Sequence, residues 1–268
     1  MYPILCIVPF GDGMILWSYG VCIWTGICVA SLLYWYRYGD DVRTVPSLFW
    51  GYVGIGSGFF LAHWFKMLLA YGLPVFFLMK KNVWIPTDDL AIIPGLLAGG
   101  GMIVLLYRLR GIPVLETMNR QAPYLAIAHG FARIGCFFAG CCYGKPAPDG
   151  WGVLFPPGSP AGLHFGASTP VWPVQLMESA FVFVLAALLF RLPEKRRLAG
   201  YGIGYGACRF VLEFFRGDVR GSFEAVPLST PQAFALGVLL LSLAFVVYGK
   251  WNEERRVRCT QRRATGRK

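Results

Sequence analysis

Residues 230–249 read TPQAFALGVLLLSLAFVVYG and contain no charged side chain. A transmembrane helix needs about 20 predominantly apolar residues, so this stretch is long enough to cross a bilayer as one helix. The whole chain has 268 residues, of which 56% are hydrophobic, and this share is above that of ordinary soluble domains. These features indicate a membrane protein and predict a helical fold.

Further apolar stretches along the chain predict an all-α, polytopic membrane protein with about seven transmembrane helices. The predicted spans are residues 14–36, 47–70, 90–107, 121–140, 173–191, 198–215 and 230–249. We expect a single transmembrane domain over residues 1–250, followed by a basic cytoplasmic tail, residues 251–268, that is frayed. The first residues, MYPILCIVPFGDG, do not resemble a cleaved signal peptide and are expected to rest at the outer interface.

Lys and Arg are distributed unevenly between the predicted loops. Cytoplasmic loops carry an excess of basic residues, and most of the 25 Lys and Arg fall on the side that carries the C-terminal tail. We therefore place the N-terminus outside and the C-terminus in the cytoplasm. The net charge of +11 then reflects topology and contact with anionic lipid headgroups, so nucleic-acid binding is not predicted.

Glycine is clustered inside the predicted spans. The stretches GYVGIGSG (51–58) and GYGIGYG (200–206) place Gly54 and Gly58, and Gly202 and Gly206, four residues apart. Small residues at this spacing let helix backbones approach closely. A dinucleotide fingerprint would require a strand before the helix, which a membrane span does not supply, so the pattern predicts tight helix packing.

The sixth span carries a stripe of polar residues within GIGYGACRFVLEFFRGD, residues 202–218. Tyr205, Arg209 and Glu213 are spaced by four, and Arg216 follows three residues later, so we expect them on one helical face. Charged groups inside a membrane normally face a cavity or a partner. Glu213 could neutralise Arg209, but Arg216 would then leave the stripe with surplus positive charge.

The fourth span ends in HGFARIGCFFAGCCYG, residues 129–144. His129, Arg133 and Cys136 are spaced by four and three and therefore share a helical face. Arg133 has no acid four residues away, so its counter-charge must come from Glu178, from Glu213 or from a ligand.

Convergence of Arg133 with Arg209 would create a two-arginine site. Paired guanidinium groups suit bidentate recognition of a phosphate. A membrane enzyme that handles a phospholipid headgroup would need such a site.

The same stretch contains Cys136, Cys141 and Cys142, for which a metal site, a redox pair and packing are the competing interpretations. Their spacing does not match the CxxC pattern of zinc sites, and adjacent cysteines are poor redox partners compared with a CxxC pair. Free cysteine commonly packs as a small hydrophobic residue. We therefore predict packing, no metal and no cofactor, and keep a membrane thiol oxidoreductase as a less favoured alternative.

Several motifs occur in a characteristic order along the chain: RIGCFFAGCCYG, WGVLFP, PVQLMES, YGACRFVLEFFRGD and LSTPQ. In this order and at these separations, together with SYG at 18–20, they resemble the prolipoprotein diacylglyceryl transferases of bacterial inner membranes. The resemblance covers nearly the whole chain. It implies seven spans with the N-terminus outside, in agreement with the distribution of basic residues.

The resemblance also implies a reaction. Such enzymes transfer the diacylglyceryl group of phosphatidylglycerol to the lipobox cysteine thiol of a prolipoprotein, forming a thioether and releasing glycerol phosphate. The implied partners are phosphatidylglycerol, the signal peptide of the prolipoprotein and membrane lipids. A divergent relative that uses the same phospholipid pocket with another acceptor is the alternative.

The family's signature arginine falls on Arg133, for which the resemblance implies phosphate binding, and its sixth-span arginine falls on Arg209. Both are candidate catalytic residues. From the resemblance and the helical pattern together, the candidate substrate-binding residues are Tyr19, Cys136, Gly144, Gln175, Glu178, Tyr205, Glu213 and Arg216.

The chain departs from the family pattern at a histidine. The His-Gly-Gly segment that holds the family's proposed catalytic histidine is represented here by Ala98 before Gly99 and Gly100. His129, one helical turn before Arg133, is therefore a third candidate catalytic residue, either as a base or as a packing residue. Alternatively, the paired arginines favour the thiolate without any base.

Overall fold

The computed structural model describes residues 4–8, 14–78, 92–148, 150–218 and 228–264. Two short strands, β1 (Ile4–Val8) and β2 (Met14–Trp17), pair in an antiparallel hairpin. The other regular structure in the described residues is helical, as predicted. The hairpin was not predicted, because periodicity alone does not separate strand from helix in a short apolar run.

A helix lies at the position of every predicted span. The α-helices in the described part of the chain are α1 (Ser18–Tyr38), α2 (Thr44–Leu78), α3 (Ile92–Leu109), α4 (Val114–Ala139), α5 (Pro160–Phe165), α6 (Val174–Arg191), α7 (Arg197–Leu212) and α8 (Thr230–Ala264). Short 3₁₀ turns occur at Glu194–Arg196 and Glu213–Phe215. The six-residue α5 lies in the connection between α4 and α6.

Among the described residues, three helical segments are long and apolar enough to cross a membrane: Ser18–Tyr38, Val174–Arg191 and Thr230–Gly249. Beyond Gly249, α8 continues to Ala264, so the prediction of a frayed tail is wrong for residues 251–264. The segment is rich in Arg and Glu, which are good helix formers. Extending an existing helix also avoids the cost of nucleating a new one.

The sixth span ends earlier than predicted. Helix α7 stops at Leu212, and Arg216 is extended, with φ −75° and ψ 141°. The prediction that Arg216 continues the helical face of Arg209 is therefore wrong. The reason is tertiary: the backbone of Arg216 forms an antiparallel bridge with Gly144, which a helical backbone could not make.

The chain divides into two compact units, residues 1–33 with 119–268, and residues 34–118. In the second unit, α2 packs closely against α3. A Cβ atom added to Gly54 would lie 2.7 Å from Cγ1 of Ile103, and one added to Gly58 would overlap the backbone of Gly99. The glycines therefore permit close helix packing, as predicted.

Glycines of α7 have the same role in the first unit. A Cβ atom added to Gly206 would lie 2.9 Å from the carbonyl oxygen of Ala235 on α8, and one added to Gly202 would collide with the side chain of Ser242. The prediction of close packing at these positions is confirmed.

Helices α4, α6 and α7 of the first unit carry most of the predicted site residues. The Ser179 hydroxyl of α6 donates to the carbonyl oxygen of Gly130 on α4 at 2.9 Å. At the start of α7, the backbone N–H of Leu198 donates to Oδ1 of Asn119 on α4 at 3.0 Å. These bonds tie α6 and α7 to the helix that contains Arg133.

Candidate active site

Arg133 is paired with a carboxylate from another helix. Its Nε atom lies 3.0 Å from Oε1 of Glu178 on α6. The Glu178 side chain is 0% exposed, and burying an isolated carboxylate without a counter-charge would be very costly. Of the counter-charges considered from the sequence, Glu178 is therefore the one that Arg133 uses.

His129 joins the same cluster. Its Nε2 atom lies 3.3 Å from Nε of Arg133 and 3.5 Å from Oε1 of Glu178, and its Nδ1 atom lies 3.1 Å from the hydroxyl of Tyr201. Its ring also meets Tyr205 edge-on, with 4.8 Å between centroids. Both ring nitrogens of His129 are therefore engaged by neighbouring side chains.

Glu178 is the centre of this cluster. The Tyr205 hydroxyl donates to its Oε1 atom at 3.2 Å, so this oxygen receives contacts from both Tyr205 and Arg133. The other oxygen, Oε2, is buried and has no hydrogen-bond partner among the described residues. One side of the carboxylate is thus held by donors, and the other is left to accept a proton or a donor from a substrate.

Arg209 forms a second buried pair. Its NH2 atom lies 2.8 Å from Oε2 of Glu213, and the Ser229 hydroxyl donates to Oε1 of Glu213 at 3.0 Å. The NH1 atom of Arg209, whose side chain is 8% exposed, has no hydrogen-bond partner in the described part of the chain. Arg133 and Arg209 thus each pair with a carboxylate, Glu178 and Glu213 respectively.

Arg216 is neutralised by a residue that was not among the predicted site residues. Its Nε and NH2 atoms donate to the two carboxylate oxygens of Asp218 at 2.9 and 2.7 Å. Burial by itself would lower the pKa of Arg216, but the bond with Asp218 raises the pKa above its ordinary value. The expected surplus positive charge is therefore wrong, since Glu213 and Asp218 balance Arg209 and Arg216.

Gly144 permits a close backbone approach. A Cβ atom at this position would lie 2.5 Å from the carbonyl oxygen of Trp172 and 2.9 Å from that of Phe215. Its N–H donates to the carbonyl oxygen of Trp172 at 3.1 Å. Gly144 therefore joins the segment after α4 to the segments before α6 and after α7.

The other predicted substrate-binding residues lie around the end of α4. The buried Gln175 donates from Nε2 to the carbonyl oxygen of Cys141 at 2.7 Å, so this amide supports the loop. Tyr19, at the start of α1, packs against Gly135. Cys136 is buried one residue later. All of the predicted site residues thus belong to the first compact unit.

Two site residues were missed in the sequence. Tyr201 contacts His129 and stacks on Tyr205 with 5.8 Å between ring centroids; its position four residues before Tyr205 was an available signal. Asp218 closes the motif quoted for the sixth span, but its pairing with Arg216 depends on the chain leaving the helix at Leu212.

Of the two other histidines, only His164 has a side chain in the described part of the structure. His164 lies in α5, where its ring packs against Phe165 and Tyr143. The side chain of His63 lies outside the described part of the structure. Ala98, at the position of the family's histidine, belongs to the second compact unit.

The fold and this site define a helical membrane protein with a buried, charge-paired polar centre. A family model described as prolipoprotein diacylglyceryl transferase matches residues 7–248. The chain belongs to the prolipoprotein diacylglyceryl transferase family.

Individual relatives agree with this assignment. The chain is 38% identical over 160 residues to the phosphatidylglycerol–prolipoprotein diacylglyceryl transferase of Clostridium tetani, covering 57% of this chain and 61% of that protein. It is 32% identical over 244 residues to transferase 2 of Clostridium perfringens, covering 85% of this chain and 89% of the relative. It is 33% identical over 226 residues to the enzyme of Azospirillum brasilense, covering 79% and 75%.

Proposed function

We propose that the protein transfers the diacylglyceryl group of phosphatidylglycerol to the lipobox cysteine thiol of a prolipoprotein. The products are a thioether-linked lipoprotein precursor and glycerol phosphate. Membership of the transferase family supports this reaction, and the relatives from Clostridium and Azospirillum carry both the donor and the acceptor in their names.

The observation that carries the proposal is the NH1 group of Arg209. It is a buried cationic donor without a hydrogen-bond partner among the described residues, while the NH2 atom of the same guanidinium lies 2.8 Å from Oε2 of Glu213. A donor that is fixed before the substrate arrives stabilises charge that develops during the reaction. We assign this group to the phosphate of phosphatidylglycerol.

Bond formation and cleavage occur at one glycerol carbon. The acceptor sulfur bonds to this carbon while the carbon–oxygen bond to the phosphate breaks and its electron pair stays on the phosphate oxygen. Arg133 and Arg209 stabilise the leaving phosphate, since guanidinium groups match its geometry. The two guanidinium groups thereby offset the charge on the phosphate in a buried site, where charges interact more strongly than in bulk water.

The thiol proton must leave to an acceptor in the site. Glu178 supports this role because its Oε2 atom is buried without a hydrogen-bond partner among the described residues. His129 is supported as a positioning residue, since Arg133, Glu178 and Tyr201 already contact its two nitrogens. With this role, Glu178 supplies the proton acceptor in a chain that has Ala98 in place of the family's histidine.

We place the enzyme in the bacterial inner membrane with seven spans, the N-terminus outside and a basic cytoplasmic tail after a single transmembrane domain. Two observations support this topology: the uneven distribution of Lys and Arg between the loops, and the presence of a helix at each predicted span. Reporter fusions at the two termini test the orientation: an active cytoplasmic reporter at the N-terminus would contradict it.

Reconstitution tests the reaction. The purified full-length protein is incubated with phosphatidylglycerol vesicles and a synthetic lipobox peptide, and mass spectrometry follows both the thioether product and glycerol phosphate. A peptide with serine in place of the lipobox cysteine is the matched control and should stay unmodified. Release of glycerol phosphate without a lipidated cysteine peptide would instead indicate a divergent enzyme with another acceptor.

A further inference from the structure

Three thiols meet at the end of α4. The Sγ atoms of Cys136, Cys141 and Cys142 all lie within 4.8 Å of one another, with Cys136 buried and the other two half-buried. The spacing of these residues in the sequence does not resemble a metal motif, but the fold brings them together.

The backbone after α4 is shaped so that the cluster can form. Gly140 has φ 70° and reverses the chain at the end of the helix, and Cys142 has φ 59°. Cys142 has the only positive φ of a non-glycine residue among the described residues, and such conformations are uncommon and usually have a structural cause. Here the turn returns the second and third thiols to Cys136.

The sulfur positions fit a single thiophilic ion. Zinc–sulfur bonds are about 2.3 Å long, so thiolates around one tetrahedral ion lie about 3.8 Å apart. Separations within 4.8 Å therefore reach this geometry through small side-chain rotations. Three thiolates also leave one of four tetrahedral positions for a water molecule or another ligand.

The surroundings suit an anionic metal–thiolate group. Three thiolates and one Zn²⁺ ion carry one net negative charge, and the backbone bridge between Gly144 and Arg216 brings this cationic residue alongside the segment that carries Cys142. Arg133 lies one turn before Cys136 in α4. Gln175 holds the carbonyl oxygen of Cys141 at 2.7 Å, so the loop is braced from outside, as is usual around metal ligands.

We propose that Cys136, Cys141 and Cys142 bind one thiophilic metal ion, Zn²⁺, with the fourth coordination position open. Each thiol releases its proton when it binds the metal, so binding is accompanied by proton release. The test of this site does not depend on lipid transfer, because metal binding is measured directly.

Metal content of the purified full-length protein is the first measurement. The protein is isolated in detergent under reducing conditions without a chelator, and zinc per chain is measured by elemental mass spectrometry. We expect one ion per chain. Titration with Co²⁺ should then give the sulfur-to-cobalt charge-transfer absorption of a thiolate site, and competition with a chromogenic chelator gives the affinity.

Single substitutions of Cys136, Cys141 or Cys142 by Ser should weaken zinc binding at least about tenfold, the lower end of what perturbing a metal site usually causes. Cys208→Ser on α7 and Cys28→Ser on α1 are matched controls and should bind like the unaltered protein. Each variant is first checked for a folded, monodisperse state by size-exclusion chromatography.

Three results would overturn the proposal. One is a reduced, folded protein that binds neither Zn²⁺ nor Co²⁺ more tightly than detergent alone. Another is a triple Cys→Ser variant that keeps the full metal content. The third is a disulfide between two of the three cysteines in the isolated protein, detected by differential alkylation and mass spectrometry.

Discussion

The two buried arginines of the site are satisfied in different ways. Arg133 on α4 uses Glu178 on α6 as its partner, and that carboxylate is shared with Tyr205 on α7. Arg209 on α7 uses Glu213, four residues along the chain, and keeps its NH1 group without a hydrogen-bond partner among the described residues. The first pair joins helices, whereas the second leaves a donor for a ligand.

The difference separates stability from catalysis. Breaking a buried pair that several side chains share leaves uncompensated charge in the core of the fold. Altering a locally held arginine mainly removes a donor from the site. We therefore expect changes at Glu178 to affect unfolding as well as turnover, and changes at Arg209 to affect mainly turnover.

Glu178→Gln should cause the largest loss of stability. The substitution leaves Arg133 without its counter-charge, and removing one partner of a buried ion pair costs about 3–5 kcal/mol in the free energy of unfolding. Chemical denaturation in detergent, followed by tryptophan fluorescence, measures the change. Glu194→Gln is the matched control: this carboxylate is 42% exposed and pairs with Arg120 and Arg197, so its loss should cost at most about 1 kcal/mol.

Arg209→Lys should lower kcat/KM for lipid transfer at least about 100-fold, the usual effect of removing one donor that stabilises developing charge. Lysine can keep the pair with Glu213 but lacks the planar fork that presents a second nitrogen. The free energy of unfolding should change much less than in Glu178→Gln, since lysine keeps the pair with Glu213. Arg191→Lys, at the exposed end of α6, is the control. If Arg209→Lys and Arg191→Lys had equal kcat/KM, the proposed role of Arg209 in phosphate binding would be wrong.

Tyr205→Phe should destabilise the first pair without breaking it. The variant loses the hydrogen bond to Oε1 of Glu178, and bonds to charged groups contribute about 1.5–3 kcal/mol. Tyr201→Phe removes a bond to the His129 ring rather than to a carboxylate and should cost only about 0.5–1.5 kcal/mol. The free energies of unfolding of the two variants are compared directly. A larger loss of stability in Tyr201→Phe than in Tyr205→Phe would contradict the central place of Glu178 in the cluster.

His129→Gln should have the smallest effect on turnover. Glutamine can still accept from Arg133, so a positioning role predicts a loss below about tenfold, whereas a general base contributes about 10²–10⁴-fold. The pH dependence of kcat/KM provides the second measurement and should keep its shape. A 100-fold loss of kcat/KM, together with disappearance of the fall in kcat/KM at acidic pH, would identify His129 as the base.

Positions of helices were the most predictable feature. Each predicted span coincides with a helix, because a long apolar run has few alternatives to a helix in a membrane. Boundaries were less predictable: α7 stops at Leu212, and after a 3₁₀ turn the chain forms the backbone bridge between Arg216 and Gly144. The hairpin of β1 and β2 was missed, since short apolar runs suit both helix and strand.

The site was predictable as a set of residue types but not as a set of pairs. Arg133, Glu178, Arg209 and Glu213 were all named from charge inside apolar spans. The partner of Arg216 was not, because Asp218 becomes available only after the chain leaves α7. The two unpartnered atoms on which the proposal depends, Oε2 of Glu178 and NH1 of Arg209, have no sequence signature.

The sequence by itself determined a helical membrane protein with buried arginines, because hydrophobic length and intramembrane charge are local properties of the chain. The tertiary structure decided that Arg133 pairs across helices with Glu178, and that NH1 of Arg209 is buried without a hydrogen-bond partner among the described residues. It also decided that three cysteines with no metal-like spacing converge. Contacts between distant segments depend on helix packing and turn geometry, which residue spacing along one helix does not specify.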